Sequence, residues 1–198
     1  MAIGLGGLMG LANSLTLLRI LLIPVFVSLL VYRWTVASLL IFCVASLTDL
    51  LDGYIARRRG SQSRLGAFLD PMADKLLLTT AFITLTYLYP TALPFWITVV
   101  VISRDLLLVL GAVLVHMAGG QIHPTPTALG KACTGLQMVT ILAVLLGLAF
   151  PMVPGVKSGL VWVTAMFTVS SGIQYLYRGA KLLNQPSEKA PQVPTLIR

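Results

Sequence analysis

The chain is short of charged, cysteine and histidine residues. Only 10% of its 198 residues are charged, six of them acidic, and it contains two cysteines and two histidines. In contrast, 57% of the residues are hydrophobic, and the mean hydropathy is +0.92. Because a soluble domain could not cover this much apolar surface with polar groups, the composition indicates an integral membrane protein.

The few cysteines and histidines carry no recognisable site. Cys43 and Cys133 lie far apart without CxxC spacing, and His116 and His123 are isolated from both. The sequence therefore predicts neither a disulfide nor a zinc site, and ordinary packing of the two thiols is expected.

Long apolar segments predict an all-α bundle of six transmembrane helices. A spanning helix needs roughly 20 predominantly apolar residues. The chain divides into six such segments, 12–32, 35–57, 67–89, 94–118, 128–149 and 156–180. We expect one membrane domain over 1–183, a flexible tail over 184–198, and a short interfacial helix in the glycine-rich N-terminal stretch.

Basic residues lie near the ends of these segments, which favours both termini in the cytoplasm. The predicted cytoplasmic side holds Arg57, Arg58, Arg59, Arg64, Lys131, Arg178, Lys181, Lys189 and Arg198, and the opposite side holds Arg33 and Lys157. The net charge is +8, and we expect these basic residues to face anionic lipid or an anionic substrate. We predict no nucleic-acid partner, because no soluble basic stripe is present.

Four of the six acids lie close together in the stretch SLTDLLDGYIARRRGSQSRLGAFLDPMADK, which begins at position 46. Inserting a carboxylate into the middle of a membrane costs roughly 3 kcal/mol on insertion scales, so such groups usually face the bundle interior. Helical periodicity places Asp49 and Asp52 on one face of the second segment, and Asp70 and Asp74 on one face of the third. The short link over 58–65 predicts antiparallel neighbours, so that the four carboxylates converge.

Converging carboxylates repel one another unless cations separate them. Hard oxygen ligands without histidine or cysteine suit Mg²⁺ or Mn²⁺. Two such cations about 3.5–4 Å apart can clamp the attacking and leaving oxygens of a phosphoryl displacement. The sequence therefore predicts two divalent cations, with Arg57 as a fork for phosphate oxygens and with Gly53, Ala56 and Gly66 leaving room for a bulky ligand. Close helix packing is the alternative role of these small residues.

The spacing Asp49-x2-Asp52-Gly53-x2-Ala56-Arg57-x8-Gly66-x3-Asp70-x3-Asp74 resembles the signature of the CDP-alcohol phosphotransferase family. The resemblance implies a homodimeric six-helix enzyme that moves a substituted phosphoryl group from a CDP-linked donor to an alcohol and releases CMP. It makes Asp49, Asp52, Asp70 and Asp74 the metal ligands, with Asp74 also the catalytic base. The two aspartates of the second segment, with Gly53, Ala56, Arg57 and Gly66, would line the CDP site.

The first segment adds to this resemblance. Its Asn13-x2-Thr16-x2-Arg19 pattern is similar to the opening of relatives that synthesise phosphatidylglycerophosphate or cardiolipin, and it implies CDP contacts from Asn13 and Thr16. A helix cap at Asn13 and a bundle-facing Thr16 are the alternatives. Arg19 is expected to have an interior partner.

The identity of the acceptor depends on the basic residues outside the acidic stretch. The resemblance implies transfer of the phosphatidyl group of CDP-diacylglycerol to glycerol 3-phosphate, with phosphatidylglycerol, the acceptor of cardiolipin synthases, as the alternative. Candidate contacts for an anionic acceptor are Arg104, Lys131 and Arg178. Pairing of Arg104 with Asp105, and anchoring of the other two at the membrane surface, are the competing roles.

Two other classes of membrane protein also place acidic residues within apolar segments. Membrane prenyltransferases also bind pyrophosphate with aspartates and Mg²⁺, but generally use about nine spans and motifs on distant helices. A cation transporter needs intramembrane acids but neither Arg57 nor the small residues beside the acids. The resemblance favours a phospholipid-synthesis enzyme of the bacterial inner membrane, with its site facing the cytoplasm.

Overall fold

The computed structural model describes the backbone of residues 11–59, 64–117, 128–150 and 154–183. Side chains are described for 16–48, 72–111, 113, 117, 128–150 and 159–177. The predicted interfacial helix and the predicted tail lie outside these residues.

The described chain is all-helical, as predicted. Its six helices are α1 (Leu11–Val31), α2 (Thr35–Arg59), α3 (Arg64–Leu88), α4 (Phe95–Met117), α5 (Ala128–Ala149) and α6 (Pro154–Leu183). Each helix falls on one of the six segments predicted from the sequence. The largest difference is at α6, which extends two residues earlier and three residues later than expected.

The helices pack in a closed order. Helix α1 packs against α2 and α3, α2 against α5, α5 against α6, α6 against α4, and α4 against α3. Helix α3 also contacts α5 across this ring. Both helices that carry the acidic stretch therefore flank α1.

An apolar core fills the end of the bundle at which α1 ends and α2 begins. Phe26 of α1 and Phe42 of α2 have no exposed surface, and their ring centroids lie 5.6 Å apart. The other large buried members come from α1, α3, the connection between α3 and α4, the start of α4, and α5: Leu30, Leu77, Phe82, Leu85, Leu93, Ile97, Ile141 and Leu145. Burying such side chains contributes about 1.5–3 kcal/mol each relative to exposure, so this core holds the helices in place.

The connection between α1 and α2 has a defined shape. Arg33 adopts a positive φ of 63°, which lets the chain reverse within a short link. Its guanidinium carbon lies 4.6 Å from the centre of the Tyr89 ring, just after α3. This cation–π contact joins two connections at the same end of the bundle.

The outer faces of the helices are apolar. Among the residues whose side chains are described, two helical stretches are long and apolar enough to cross a membrane, Ala128–Ala149 with a mean hydropathy of 2.0 and Gly159–Tyr177 with a mean hydropathy of 1.2. Large side chains such as Leu21, Leu40 and Met166 are at least 60% exposed. An apolar surface of this extent suits contact with lipid.

Candidate active site

The interior becomes polar from the middle of the bundle toward the end where α1 begins. Among the described side chains, the buried polar residues of this region are Thr16, Arg19, Ser46, Thr48, Arg104, Gln137, Thr168 and Ser171. Burying polar groups is unfavourable unless they find partners, so their concentration in one region marks a candidate site.

The four aspartates occupy matching positions along α2 and α3. Asp49 lies ten residues before the end of α2, and Asp74 lies ten residues after the start of α3. At 1.5 Å per residue, each is about 15 Å from its helix end. Asp52 and Asp70 lie seven and six residues from the same ends, or about 9–11 Å. Since these ends are joined by only four residues, the aspartates form two pairs at similar depth.

The structure describes the side chain of one of these aspartates, Asp74, which is partly buried. Outside the described side chains are those of Asn13, Asp49, Asp52, Gly53, Ala56, Arg57, Gly66, Asp70 and Arg178. Among the side chains that are described, no three His, Cys, Asp or Glu residues gather into a possible metal site. Convergence of the four carboxylates therefore stays a prediction, which the backbone positions support.

Helix α1 brings two more polar side chains to this depth. Thr16 and Arg19 are both fully buried and lie three positions apart, hence on one face. Thr16 lies 15 residues before the end of α1, and Asp49 lies 14 residues after the start of α2. Because the two helices are joined by a short link, these residues lie at similar depth, about 21–23 Å from that link. The predicted CDP contact at Thr16 is thus placed near the acidic stretch.

A polar network joins α3, α4 and α6 beside Asp74. Lys75 forms an ion pair with Oδ1 of Asp105 on α4. The same carboxylate oxygen accepts a hydrogen bond from Nη1 of Arg104 at 2.8 Å. Nη2 of Arg104 donates to Oγ of Ser171 on α6 at 2.9 Å. One carboxylate therefore serves two cations, and the guanidinium bridges two helices.

Within this network, Arg104 is only 5% exposed. The alternative considered for it, pairing with Asp105, is present. Its Nε is also buried and has no hydrogen-bond partner within the described part of the chain. The buried guanidinium thus retains one donor for a further polar group.

A second polar seam joins α5 to α6. Oγ1 of Thr140 lies 2.6 Å from Oγ1 of Thr164, and Sγ of Cys133 lies 3.4 Å from Oγ1 of Thr168. Gln137 donates from Nε2 to the same sulfur at 3.6 Å. Cys133, expected to be simple packing, is indeed buried, but it also joins this polar contact.

The other two predicted acceptor contacts are less enclosed or lie outside the described side chains. Lys131 is exposed in the first turn of α5. Arg178 lies on α6 seven residues after Ser171, about 10 Å further along the helix. The structure does not bring Lys131 into the polar network around Arg104.

Comparison with known proteins identifies the family. A profile of the CDP-alcohol phosphatidyltransferase family matches residues 9–170, most of the chain. The chain belongs to the CDP-alcohol phosphatidyltransferase family. The matched region contains the whole acidic stretch, the first five helices and α6 as far as residue 170.

Relatives within this family have named activities. A CDP-diacylglycerol–glycerol-3-phosphate 3-phosphatidyltransferase of Bacillus subtilis (strain 168) is 35% identical over 87% of this chain and 96% of its own length. The protein of that name from Shigella flexneri serotype 5b (strain 8401) is 39% identical over 86% and 96%. A probable phosphatidylglycerophosphate synthase of Mycobacterium tuberculosis (strain CDC 1551 / Oshkosh) is 36% identical over 86% and 82%.

Family membership confirms the resemblance found in the sequence and favours a phosphatidyltransferase over a prenyltransferase or a transporter. The sequence did not, however, predict the roles of Lys75 and Ser171 or the seam between α5 and α6. A signal for the seam was present: Thr164, Thr168 and Ser171 repeat at intervals of four and three, so they share one face of a helix. Lys75 directly follows an aspartate, and such a pair is easily read as local compensation of charge.

Proposed function

We propose that this chain synthesises phosphatidylglycerophosphate by transferring the phosphatidyl group of CDP-diacylglycerol to a hydroxyl of glycerol 3-phosphate, with release of CMP. The main support is the close agreement with two relatives of that named activity, at 35% and 39% identity over 96% of their length. The matched depths of the four aspartates on α2 and α3 support the same chemistry.

The architecture we propose is a single membrane domain over 1–183 with six spans and a tail over 184–198. The apolar outer faces and the two helices that are apolar enough to cross a membrane support this arrangement. Basic residues cluster near the end of α2 and the start of α3, where the aspartates also lie. This clustering favours a site that faces the cytoplasm, in a bacterial inner membrane. A homodimer belongs to the same proposal by family resemblance.

The proposed metal ligands are Asp49, Asp52, Asp70 and Asp74. Their oxygens are the donors that Mg²⁺ and Mn²⁺ prefer, and two cations would balance their four charges. When bound, the cations would hold the pyrophosphate of the donor and neutralise charge on the transferred group.

Asp74 is the proposed base. Its carboxylate would take the proton of the acceptor hydroxyl, whose oxygen then attacks the phosphorus that carries the diacylglycerol. The bond between this phosphorus and the oxygen that bridges to CMP breaks, and CMP leaves with that oxygen. Because little else is needed from the protein, positioning and charge stabilisation account for most of the catalysis.

The proposed CDP site draws on α1, α2 and α3. It comprises Asn13, Thr16, Asp49, Asp52, Gly53, Ala56, Arg57 and Gly66. The burial of Thr16 and the packing of α1 against both acid-bearing helices support it. Small residues let a nucleotide approach the helix backbone, and the guanidinium of an arginine can form a bidentate contact with phosphate.

The proposed acceptor site uses Arg104, Lys131 and Arg178. Of these, Arg104 has the most direct support, since it is buried, shares the carboxylate of Asp105 with Lys75, and keeps an unfilled donor at Nε. Three basic side chains could bind the phosphate of glycerol 3-phosphate, and they could equally bind the phosphodiester of phosphatidylglycerol.

The deciding experiment uses the purified full chain in lipid nanodiscs with CDP-diacylglycerol and Mg²⁺ or Mn²⁺. Glycerol 3-phosphate, phosphatidylglycerol and glycerol are supplied in separate reactions, and both CMP and the lipid product are measured. We expect CMP release and phosphatidylglycerophosphate with glycerol 3-phosphate. Glycerol serves as the control for the acceptor's charge, and we expect little turnover with it.

Cardiolipin formed only when phosphatidylglycerol is present would overturn the choice of acceptor while leaving the family chemistry intact. Release of CMP with no acceptor dependence at all would indicate hydrolysis of the donor and contradict the proposed transfer. Omission of divalent metal, with added chelator, tests the cation requirement in the same preparation.

A further inference from the structure

We infer that Lys75 and Asp105 are positioning residues that fix the orientation of the helical turn carrying Asp74. This inference rests on the proposed function, because it assigns the ion pair a role in the turnover step. The role lies in holding α3 against α4, and neither residue is assigned contact with the reacting atoms.

The contacts place the pair where such control is effective. Lys75 directly follows Asp74, so movement of its backbone moves the proposed base as well. Its ammonium binds Oδ1 of Asp105, and the side chain of Asp105 is only 16% exposed. Because one helical residue turns by about 100°, a fixed direction for Lys75 also fixes the direction of its neighbour.

Asp105 is itself held in place from the other side. Its Oδ1 accepts a hydrogen bond from Nη1 of the buried Arg104, and Nη2 of that guanidinium is bonded to Ser171 on α6. Gly172 of α6 lies beside the same side chain, since a Cβ at that position would be 3.8 Å from Cγ of Arg104, an ordinary van der Waals distance. Lys75 is therefore tied to a frame of two helices.

The two basic side chains that bind Asp105 differ in exposure, and this difference makes the inference testable. The side chain of Arg104 is 6% exposed, whereas that of Lys75 is 40% exposed. Removing the charge of Lys75 leaves Asp105 paired with Arg104, so no buried charge loses its last partner. Loss of Asp105 would instead leave a buried guanidinium without its counter-ion, which is strongly destabilising.

The same helix pair supplies a matched control at its other end. Oγ1 of Thr86 on α3 lies 2.5 Å from Oγ1 of Thr98 on α4, and both threonines are buried. Thr86 is 12 residues from Asp74 along α3, about 18 Å away. Thr98→Val therefore removes a tie between the same helices without disturbing the turn that carries the base.

The experiment compares Lys75→Met, Lys75→Arg, Asp105→Glu and Thr98→Val with the unaltered protein, in nanodiscs with the acceptor that supports turnover. Lys75→Met should lower kcat by about tenfold or more, because displacement of a reacting group by about 1 Å can reduce rates by about 100-fold. KM for donor and acceptor should stay within about twofold. Lys75→Arg should restore most of kcat, and Asp105→Glu should lower it by displacing the carboxylate.

Thr98→Val should keep kcat, even where thermal unfolding shows a loss of stability. Equal losses of kcat in Thr98→Val and Lys75→Met would mean general weakening of the α3–α4 contact and would overturn the inference. A raised acceptor KM with unchanged kcat in Lys75→Met would also overturn it, because Lys75 would then bind the acceptor. Absence of product from the unaltered protein with every acceptor would contradict the proposed function, and the inference with it.

Discussion

Arg104 of α4 donates a hydrogen bond from Nη2 to Oγ of Ser171 on α6, at 2.9 Å, and both side chains are buried. The bond joins two helices that are separated along the chain by all of α5. It gives a buried guanidinium a neutral partner in addition to the carboxylate of Asp105. A polar side chain in an apolar surrounding loses more by lacking such a partner than an exposed one does, so Ser171 should matter for stability.

Ser171→Ala tests this bond. We expect the free energy of unfolding to fall by about 1–3 kcal/mol, because the truncation leaves a buried charged donor unsatisfied. Thermal unfolding in detergent measures the change. The adjacent Ser170 is exposed, so Ser170→Ala is a matched control and should leave the midpoint within error. Equal midpoints for the two variants would contradict a stabilising role of the Arg104–Ser171 bond.

Asp74→Asn tests the base. The amide has nearly the same shape as the carboxylate but cannot take the acceptor's proton, so we expect turnover to fall by about 100-fold or more. Binding of CDP-diacylglycerol should be largely retained, as measured with the labelled donor at equilibrium. Asp74→Glu, which keeps a carboxylate, should retain more turnover than Asp74→Asn. Near-normal CMP release from the asparagine variant would remove Asp74 from this role.

Asp70→Asn tests coordination of the cations. Replacing one ligand oxygen by an amide should shift the Mg²⁺ or Mn²⁺ concentration for half-maximal activity upward by about tenfold or more. Titration of CMP release against metal concentration measures this shift. Glu188→Gln removes an acid outside the motif and serves as the control. A titration curve for Asp70→Asn that superimposes on that of the control would argue against coordination by Asp70.

The helices could be predicted from the sequence because long apolar segments alternate with short stretches of turn residues. Each apolar segment has the length that a spanning helix requires, and all six helices could be placed within a few residues of their observed ends. The acidic stretch was equally informative, since carboxylates in such segments are too unfavourable to occur without a shared role.

The contacts between helices could not be predicted in the same way. Pairing of Lys75 with Asp105 depends on the rotation of α3 against α4. The apolar pattern of these two helices does not define that rotation, because both their buried and their exposed faces carry large hydrophobic residues. Arg104 shows the same difficulty. From the sequence, Arg104 could either bind the acceptor or pair with Asp105. Its bond to Ser171 is revealed only by the packing of α4 against α6.

Thr140 and Thr164 provide a test of the seam between α5 and α6. Their hydroxyl oxygens lie 2.6 Å apart, and Thr140 donates its own hydrogen to the carbonyl oxygen of Leu136 at 2.8 Å. Thr164 is therefore the donor between the helices. Thr140→Val removes the acceptor and should lower the free energy of unfolding by about 1–2 kcal/mol, because it leaves a buried hydroxyl unpaired.

The double variant Thr140→Val/Thr164→Val should be destabilised by less than the sum of the two single variants. Replacing both hydroxyls by methyl groups of similar shape removes the unpaired donor together with its partner. Bonds between membrane helices contribute about 0.6 kcal/mol on average, so we expect a coupling energy of about 0.5–1.5 kcal/mol. Unfolding free energies of the four proteins give this coupling directly, and strict additivity would show that the two hydroxyls do not interact across the helices.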